Sequence, residues 1–340
     1  MFILTDNIQI NKVRFSGVSQ VKVKRSIGDI SATATLKFPL KAIDKSSSGD
    51  LRKINTSTKI NVGDPIEINL GYNGDNKTEF IGFIIKKNDD NRQLTIECED
   101  YAYKLRNASI DKTYAEGENL SQVLQDITSN VFIDALNTKP LKLAPGCTDM
   151  VINKLVLADT SGEPISRMKA LNKVLDTYLL SAHFTIDGQL YVGLHYTDTD
   201  GSARYKTDYN IIDTKNLKVK SKEDNKVLIK AVSTLKNGEK IIEKAGKEGG
   251  DVKTYNFANI DDKEKLKELA ESKLKEMHYE GYEGKMKTFL IPYVLPGMAA
   301  DLIHDSDSDR SGKYFIESVE TTYGLNGGRR NVELSIKLDD

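Results

Sequence analysis

The sequence predicts an α+β protein that is mostly β, in which two antiparallel β-barrel domains flank a mixed α/β middle domain. Polar and apolar residues alternate through most of the first 108 residues, which is the period of a half-buried strand. Helical spacing replaces this alternation near residues 120 and 165. Alternation returns from about residue 213, with one amphipathic segment at about 261–278.

The N-terminal domain is predicted to cover residues 1–108 and to contain strands without a helix. The runs VSQVKVKRSI and ATATLKFPL alternate, and RQLTIECEDYAYKL closes the domain. Between them, the stretch VGDPIEINLGYNGDNKTEFIGFIIKK (Val62 to Lys87) predicts a β-hairpin with an unusually long tip.

The middle domain is predicted to cover residues 109–212. Apolar residues recur at helical spacing in GENLSQVLQDITSNVF and in GEPISRMKALNKVLDTYLLSAHF. We expect Pro164 in the first turn of the second helix, where its missing N–H costs nothing. The pair Asp187-Gly188 lies between two apolar runs and predicts a type I′ hairpin turn.

The C-terminal domain is predicted to cover residues 213–340. Asn237-Gly238 predicts a hairpin turn, and the glycine-rich run KEGGDVKTYNF predicts a loop. Asp261 and Glu264 fit a capping box for the amphipathic helix. Four alternating runs then close the chain.

An internal repeat links the two outer domains. Gly63 and Gly297 each open an alternating run, and an aromatic residue follows each of them after 17 residues, Phe80 and Tyr314. Both segments then pass a polar turn and enter another alternating strand. We therefore expect the two domains to share one strand order.

Composition excludes several classes of protein. The chain has 340 residues, 39% of them hydrophobic, and a net charge of −1, so no global attraction to nucleic acid or acidic lipid is expected. No secretion signal and no apolar run of membrane-spanning length are visible. The two cysteines form no disulfide framework, so we expect folding in the cytosol.

The strongest metal candidate is the run HDSDSDRSG. Asp305, Asp307 and Asp309 have the alternate spacing of a calcium loop, but Arg310 replaces the required glycine and Ile316 the required glutamate. The run is therefore interpreted as a solvated hairpin tip, and no metal site is expected.

Catalytic patterns are also missing from the sequence. The four histidines are scattered without zinc spacing, and no nucleophile elbow, P-loop or dinucleotide fingerprint occurs. The carboxylates Glu97 and Glu99 alternate onto one strand face, as on a solvated edge. We expect no catalytic residue, no cofactor and no enzymatic activity.

In combination, these segments resemble the baseplate hub proteins of contractile phage tails and related injection systems, the late control protein D-like family. The N-terminal run GDPIEINLGY…TEFIGFIIKK…RQLTIECEDYAYKL and the C-terminal run ELAESKLKEM…VLPGMAADLIHD…GKYFIESVETTYG carry the resemblance, which spans nearly the whole chain. Met298 departs from it, because an aspartate commonly follows the glycine. The family-like positions are Gly63, Asp64, Phe80, Gly82, Asp100, Leu105, Pro296, Gly297, Gly312 and Tyr314.

The resemblance implies tail-tube-like barrels and a ring-shaped homotrimer that adapts a hexameric tail tube to a trimeric central spike. It implies as partners the chain itself, the spike, the tube protein and other baseplate proteins. DNA, tape-measure protein or effector would pass only as transient channel cargo, and no membrane is involved. The expected location is the baseplate of a virion or phage-tail-like particle.

Three other interpretations stay open at this point. A distal-tail or tail-tip protein of a non-contractile phage shares tube-like barrels. A surface carbohydrate-binding β-module would be expected to have a secretion signal and aromatic platforms. A hydrolase fused to a tail module would need a separate catalytic domain, for which no stretch is left over.

Overall fold

The computed structural model describes residues 2–15, 17–45, 51–90, 92–152, 154–221, 226–235, 237–258, 260–304 and 310–338. Its helices are α1 (Ala102–Arg106), α2 (Leu120–Thr128), α3 (Arg167–Tyr178) and α4 (Lys263–Met277), and a 3-10 turn covers Thr56–Lys59. The strands are β1 (Leu4–Ile10), β2 (Val13–Phe15), β3 (Gln20–Ser26), β4 (Thr33–Pro39), β5 (Lys41–Lys45), β6 (Leu51–Asn55), β7 (Pro65–Tyr72), β8 (Asp75–Asp90), β9 (Gln93–Glu99), β10 (Ser109–Ile110), β11 (Lys112–Tyr114), β12 (Lys142–Leu143), β13 (Leu155–Leu157), β14 (Ile165–Ser166), β15 (Ser181–Phe184), β16 (Gln189–Gly193), β17 (Ser202–Lys206), β18 (Ile211–Asp213), β19 (Lys218–Lys220), β20 (Val227–Thr234), β21 (Lys240–Gly246), β22 (Asp251–Ala258), β23 (Gly281–Glu283), β24 (Lys285–Thr288), β25 (Ala299–Ile303), β26 (Gly312–Gly324) and β27 (Arg329–Lys337). The protein is α+β and mostly β, as predicted.

One large sheet connects the two ends of the chain. Its strand order is β18-β24-β27-β26-β3-β4-β9-β8-β7-β1-β2, and β25 and β17 branch from β26. We call β1–β4 with β7–β9 the N-terminal sheet unit. We call β17–β19 with β23–β27 the C-terminal sheet unit.

Alternation places one apolar face of each sheet unit inside. In the N-terminal sheet unit, β3 and β4 bury every second residue, and Ile8, Leu36 and Ile96 are completely buried in its core. A separate core in the C-terminal sheet unit is formed around Tyr205 and Met286.

The first predicted hairpin is confirmed, but its long tip is wrong. Tyr72 pairs with Asp75, so the turn consists of Asn73 and Gly74 alone. Both residues have positive φ, 54° and 87°, which is the conformation of a tight type I′ turn. The polar residues after Gly74 belong to the extended strand β8 and not to the turn.

The predicted helices of the middle region are confirmed as α2 and α3, with different boundaries. Pro164 does not lie in the first turn of α3. It forms a bridge with Ala158, and Ser166 caps the helix by accepting a hydrogen bond from the Lys169 N–H (3.3 Å). The hairpin at Asp187-Gly188 exists, but only Gly188 has positive φ there, so the turn is a three-residue loop and not type I′.

Three other elements differ from expectation. The run predicted as a glycine-rich loop contains strand β22, which pairs in parallel with β20. Helix α4 is capped by Asp262 rather than Asp261, because the Asp262 carboxylate accepts from the N–H groups of Glu264 and Lys265. A short helix, α1, also ends the region that was predicted to lack helices.

The predicted domain limits stay a prediction, and two contacts cross them. Strand β17 precedes residue 213, yet it pairs with β25 and contributes Tyr205 to the C-terminal core. Strands β20–β22 and helix α4 contribute to one apolar cluster with α1, α2 and α3. We call the residues that pack in this cluster the mixed unit.

Candidate assembly interface

The two sheet units meet edge to edge within one chain. Strands β3 and β26 pair antiparallel over seven residues, from Ser26 opposite Ser318 to Gln20 opposite Gly324. Lys22 and Glu320 add a cross-strand ion pair of 2.9 Å. The sequence did not predict this junction, because alternation does not specify which strand edges meet.

The repeat is visible in the hydrogen bonds of its two glycines. Gly63 donates to the Ile84 carbonyl (2.8 Å), and Ile84 donates back to Asp64 (3.0 Å). Gly297 donates to the Ile316 carbonyl (2.9 Å), and Ile316 donates back to Met298 (2.9 Å). Both glycines have a φ of 90°, which favours glycine in each place.

The strand register corrects the predicted alignment of the repeat. Pro65 pairs with Phe83, and Ala299 pairs with Phe315, so these two phenylalanines are equivalent. Tyr314 is then equivalent to Gly82 and not to Phe80. The two hairpins differ in length between the glycine and the aromatic residue, so a constant offset cannot align both.

A β-bulge lies at equivalent positions of the two units. The register of β8 against β9 shifts between Ile84 and Lys86, and that of β26 against β27 shifts between Ile316 and Ser318. Strand β26 has a further shift between Tyr314 and Ile316 that β8 lacks. The extra residues are Ile85 and Glu317. Bulges at equivalent positions support the same strand architecture in the two sheet units, because a bulge sets the local bend of a strand.

The bulge at Glu317 directs its carboxylate toward the mixed unit. Glu317 Oε1 lies 2.6 Å from His195 Nε2, and the Ser181 hydroxyl lies 3.1 Å from Nδ1 of the same ring. A serine, a histidine and a carboxylate also form a hydrolase triad, but there the serine bonds Nε2 and the carboxylate bonds Nδ1, which is the reverse of the arrangement here. Here it connects β26 to β15, and an open groove of about 1140 Å³ beside it is lined by His183 and His195.

A buried ion pair fastens the N-terminal hairpin to the C-terminal sheet unit. Glu79 bulges out of the β7–β8 ladder and pairs with Arg330 of β27, and both side chains are nearly inaccessible. The Thr321 hydroxyl donates to the other Glu79 oxygen (2.9 Å). Arg330 also donates to the carbonyls of Leu290 and Pro292.

The other family-like positions belong to the framework. The Asp100 carboxylate accepts from the N–H groups of Ala32 (2.8 Å) and Ala102 (3.0 Å), at the start of α1. The remaining positions lie as follows: Phe80, Leu105 and Tyr314 in three different apolar cores, Gly82 opposite Ile66, Gly312 at the start of β26, and Pro296 beside Gly297 along the groove. They do not converge on one site, and their role as family-like positions stays a prediction.

Burial shifts several pKa values. Removal from water raises the pKa of Asp100 to about 7, against the opposing effect of its two backbone donors. Burial lowers the pKa of His183 to about 4, and the nearby positive charge of Arg25 lowers it further. Burial also raises the pKa of the Cys98 thiol, so it is a packing residue rather than a nucleophile.

The described residues contain no group of three or more metal-ligating side chains. The calcium-like aspartates Asp305, Asp307 and Asp309 lie outside them. In the same described part of the chain, no helix is long and apolar enough to span a membrane.

Comparison with known proteins gives two kinds of match. The family model Alg8_N, the Alg8 N-terminal domain, matches residues 2–139, which is less than half of the chain. No curated protein matches.

Solved structures match over nearly the full length. A tail protein from Neisseria meningitidis MC58 has a TM-score of 0.67 at 14% identity and covers 98% of this chain and 96% of its own. A 43 kDa tail protein of prophage MuSo2 from Shewanella oneidensis has a TM-score of 0.60 at 12% identity, with 97% of both chains covered.

A third structure comes from a secretion system. The E. coli c3393 protein, a type VI secretion component described as similar to the T4 tail proteins gp27 and gp5, has a TM-score of 0.61 at 8% identity. It covers 98% of this chain and 77% of its own. At these identities the likeness establishes the fold, which this chain shares with tail proteins.

Proposed function

We propose that the chain is a structural hub of a contractile tail or injection machine. Three copies form a ring-shaped homotrimer around a central channel. The ring adapts a hexameric tail tube on one side to a trimeric central spike on the other. The mechanism is assembly and not turnover, so no catalytic residue is assigned.

One observation carries this proposal: the chain contains two equivalent sheet units that already meet edge to edge. The two units share the glycine turn and the bulge, with equivalent residues Gly63 and Gly297, and Ile85 and Glu317. Three chains with two such units present six similar surfaces. A threefold ring can thereby match a sixfold partner.

The proposed partners follow from this geometry and from the shared fold. They are the chain itself, the spike, the tube protein and other baseplate proteins, in a virion or a phage-tail-like particle. DNA, tape-measure protein or effector passes only as cargo. A net charge of −1 agrees with a channel that does not retain a polyanion.

Light scattering tests the proposal. We expect the purified chain to reach three times 37.9 kDa as its concentration rises, alone or with a trimeric spike protein from the same machine. A stable dimer contradicts the proposal, because a twofold assembly cannot match both a threefold spike and a sixfold tube. A chain that stays monomeric with that spike contradicts it as well.

A further inference from the structure

The edge of β8 is open where its counterpart is covered. In β26, residues Ser318 to Thr322 pair with β27 on one side and with β3 on the other. The equivalent residues of β8, Lys86 to Asp90, pair with β9, and among the described residues no strand lies on their other side. Accordingly, Ser318 is 3% exposed, whereas the equivalent residue, Lys86, is exposed to solvent.

The second open edge lies in the C-terminal sheet unit. Strand β18 pairs with β24, and β19 pairs with β23, in the way that β3 pairs with β4 in the N-terminal sheet unit. The pair Lys218–Glu283 is therefore equivalent to the pair Lys24–Thr33. Beyond them, the described residues provide no further strand. The apolar side chains of Ile212 and Val219 are 40% and 55% exposed there.

Exposed strand edges carry unpaired N–H and C=O groups and readily accept another strand. We propose that the β8 edge of one subunit, residues 86–90, pairs with the β18–β19 edge, residues 211–220, of the next copy of this chain. This contact repeats the β3–β26 junction between subunits. The inference rests on the proposed ring and identifies the strands that close it.

The register follows from the internal junction. There, Val319 lies opposite Arg25, Glu320 opposite Lys24, and Thr321 opposite Val23. Carried to the equivalent residues, this register places Lys87 opposite Val219, Asn88 opposite Lys218, and Asp89 opposite Leu217.

Charge favours this pairing at one end of the contact, where the β8 edge ends in Asp89 and Asp90 and the opposing segment carries Lys215 and Lys218. At the other end the register places Lys86 opposite Lys220, so the two acidic residues provide the electrostatic attraction. The contact joins two different surfaces head to tail, so it produces a closed ring when the rotation closes, and never an isolated twofold dimer.

Disulfide trapping tests the register. In a C147S background, where Cys98 stays buried, the variant N88C/K218C should form covalent dimers and trimers on mild oxidation, because directly opposed strand residues bring their Cβ atoms within disulfide range. Each single variant and the pair N88C/K240C, whose second residue is exposed on β21, should remain uncrosslinked between chains.

Light scattering on the same samples separates the two proposals. A trimer in which N88C/K218C does not cross-link overturns this interface and leaves the ring proposal standing. A chain that neither trimerises nor cross-links, with or without the spike protein, overturns both.

Charge reversal provides a second measurement. D89K/D90K should weaken association of subunits roughly tenfold or more, and K215D/K218D added to it should restore the trimer. A D89K/D90K variant that associates as tightly as the wild type, with an unchanged fold by circular dichroism, overturns the proposed pairing.

Discussion

At the scale of single residues, the informative side chains are two bulged glutamates. Glu79 and Glu317 each interrupt a strand ladder, and each contacts a basic side chain outside its own sheet unit. Glu79 pairs with Arg330, and Glu317 pairs with His195. A bulge turns a side chain out of its regular alternation. Strand periodicity therefore gave no indication of these contacts, whose partners are 251 and 122 residues away.

His183 should make stability depend on pH. Its pKa is about 4 in the folded protein against 6.5 when unfolded, so between these values the unfolded chain binds more protons. Stability from this group is complete above pH 6.5 and is lost as the pH falls toward 4. H183Q should therefore lose less stability than the wild type over this range, by on the order of 2 kcal/mol.

Urea unfolding of both proteins at pH 7.5 and pH 4.5 measures the difference. The quantity compared is the difference between the free energies of unfolding at the two pH values. Any pH-independent effect of the substitution on stability cancels in that difference. Parallel pH dependence in the two proteins would show that His183 is protonated equally in the folded and unfolded states.

At the scale of elements, both glycine turns should be intolerant of a side chain. At a φ of 90°, an L-residue is strained, so G63A and G297A should each lose about 1–2 kcal/mol. G63A should lose more, because its new Cβ lies 3.3 Å from the Tyr103 hydroxyl, whereas Gly297 has open space.

The matched control is G28A. Gly28 is exposed, lacks a positive φ, and a Cβ there finds its nearest neighbour at an ordinary 3.5 Å. Its stability should stay within about 0.5 kcal/mol of the wild type in urea unfolding. Equal effects in all three variants would argue against a special role for the two turns.

The elements were largely predictable, while their ends and partners were not. Helices α2 and α3 follow from apolar spacing, and the hairpin turn at Asn237 follows from turn chemistry. Strand β22 was not predicted, because it directly follows two glycines and contains mostly polar residues, a composition that is typical of a loop. Edge pairing such as β3 with β26 depends on contacts nearly 300 residues apart, which local patterns do not encode.

At the scale of the whole molecule, several contacts join the two sheet units. The β3–β26 ladder joins their edges, and the Glu79–Arg330 pair fastens the N-terminal hairpin across the joint. Leu290, which belongs to the segment between β24 and β25, also packs in the N-terminal core. If six such units form the ring, this internal joint sets the geometry that the contacts between subunits must repeat.

The buried pair should therefore control the stability of the joint. R330M leaves Glu79 buried without its cation and should lose about 3–5 kcal/mol in urea unfolding. E79M should also be strongly destabilising, because it leaves the Arg330 charge uncompensated. The double variant E79M/R330M should lose less than the sum of the two single changes, because neither charge then remains buried alone.

The exposed pair Asp75–Lys77, 2.9 Å apart on the same hairpin, is the matched control. D75N should change stability by less than about 1 kcal/mol, since exposed pairs contribute little. Additive losses in the Glu79–Arg330 cycle would mean that the two side chains stabilise their own units separately. A large coupling energy would instead show that this ion pair stabilises the junction between the two sheet units. R330M should then also weaken the trimer, because a less rigid junction changes the rotation that closes the ring.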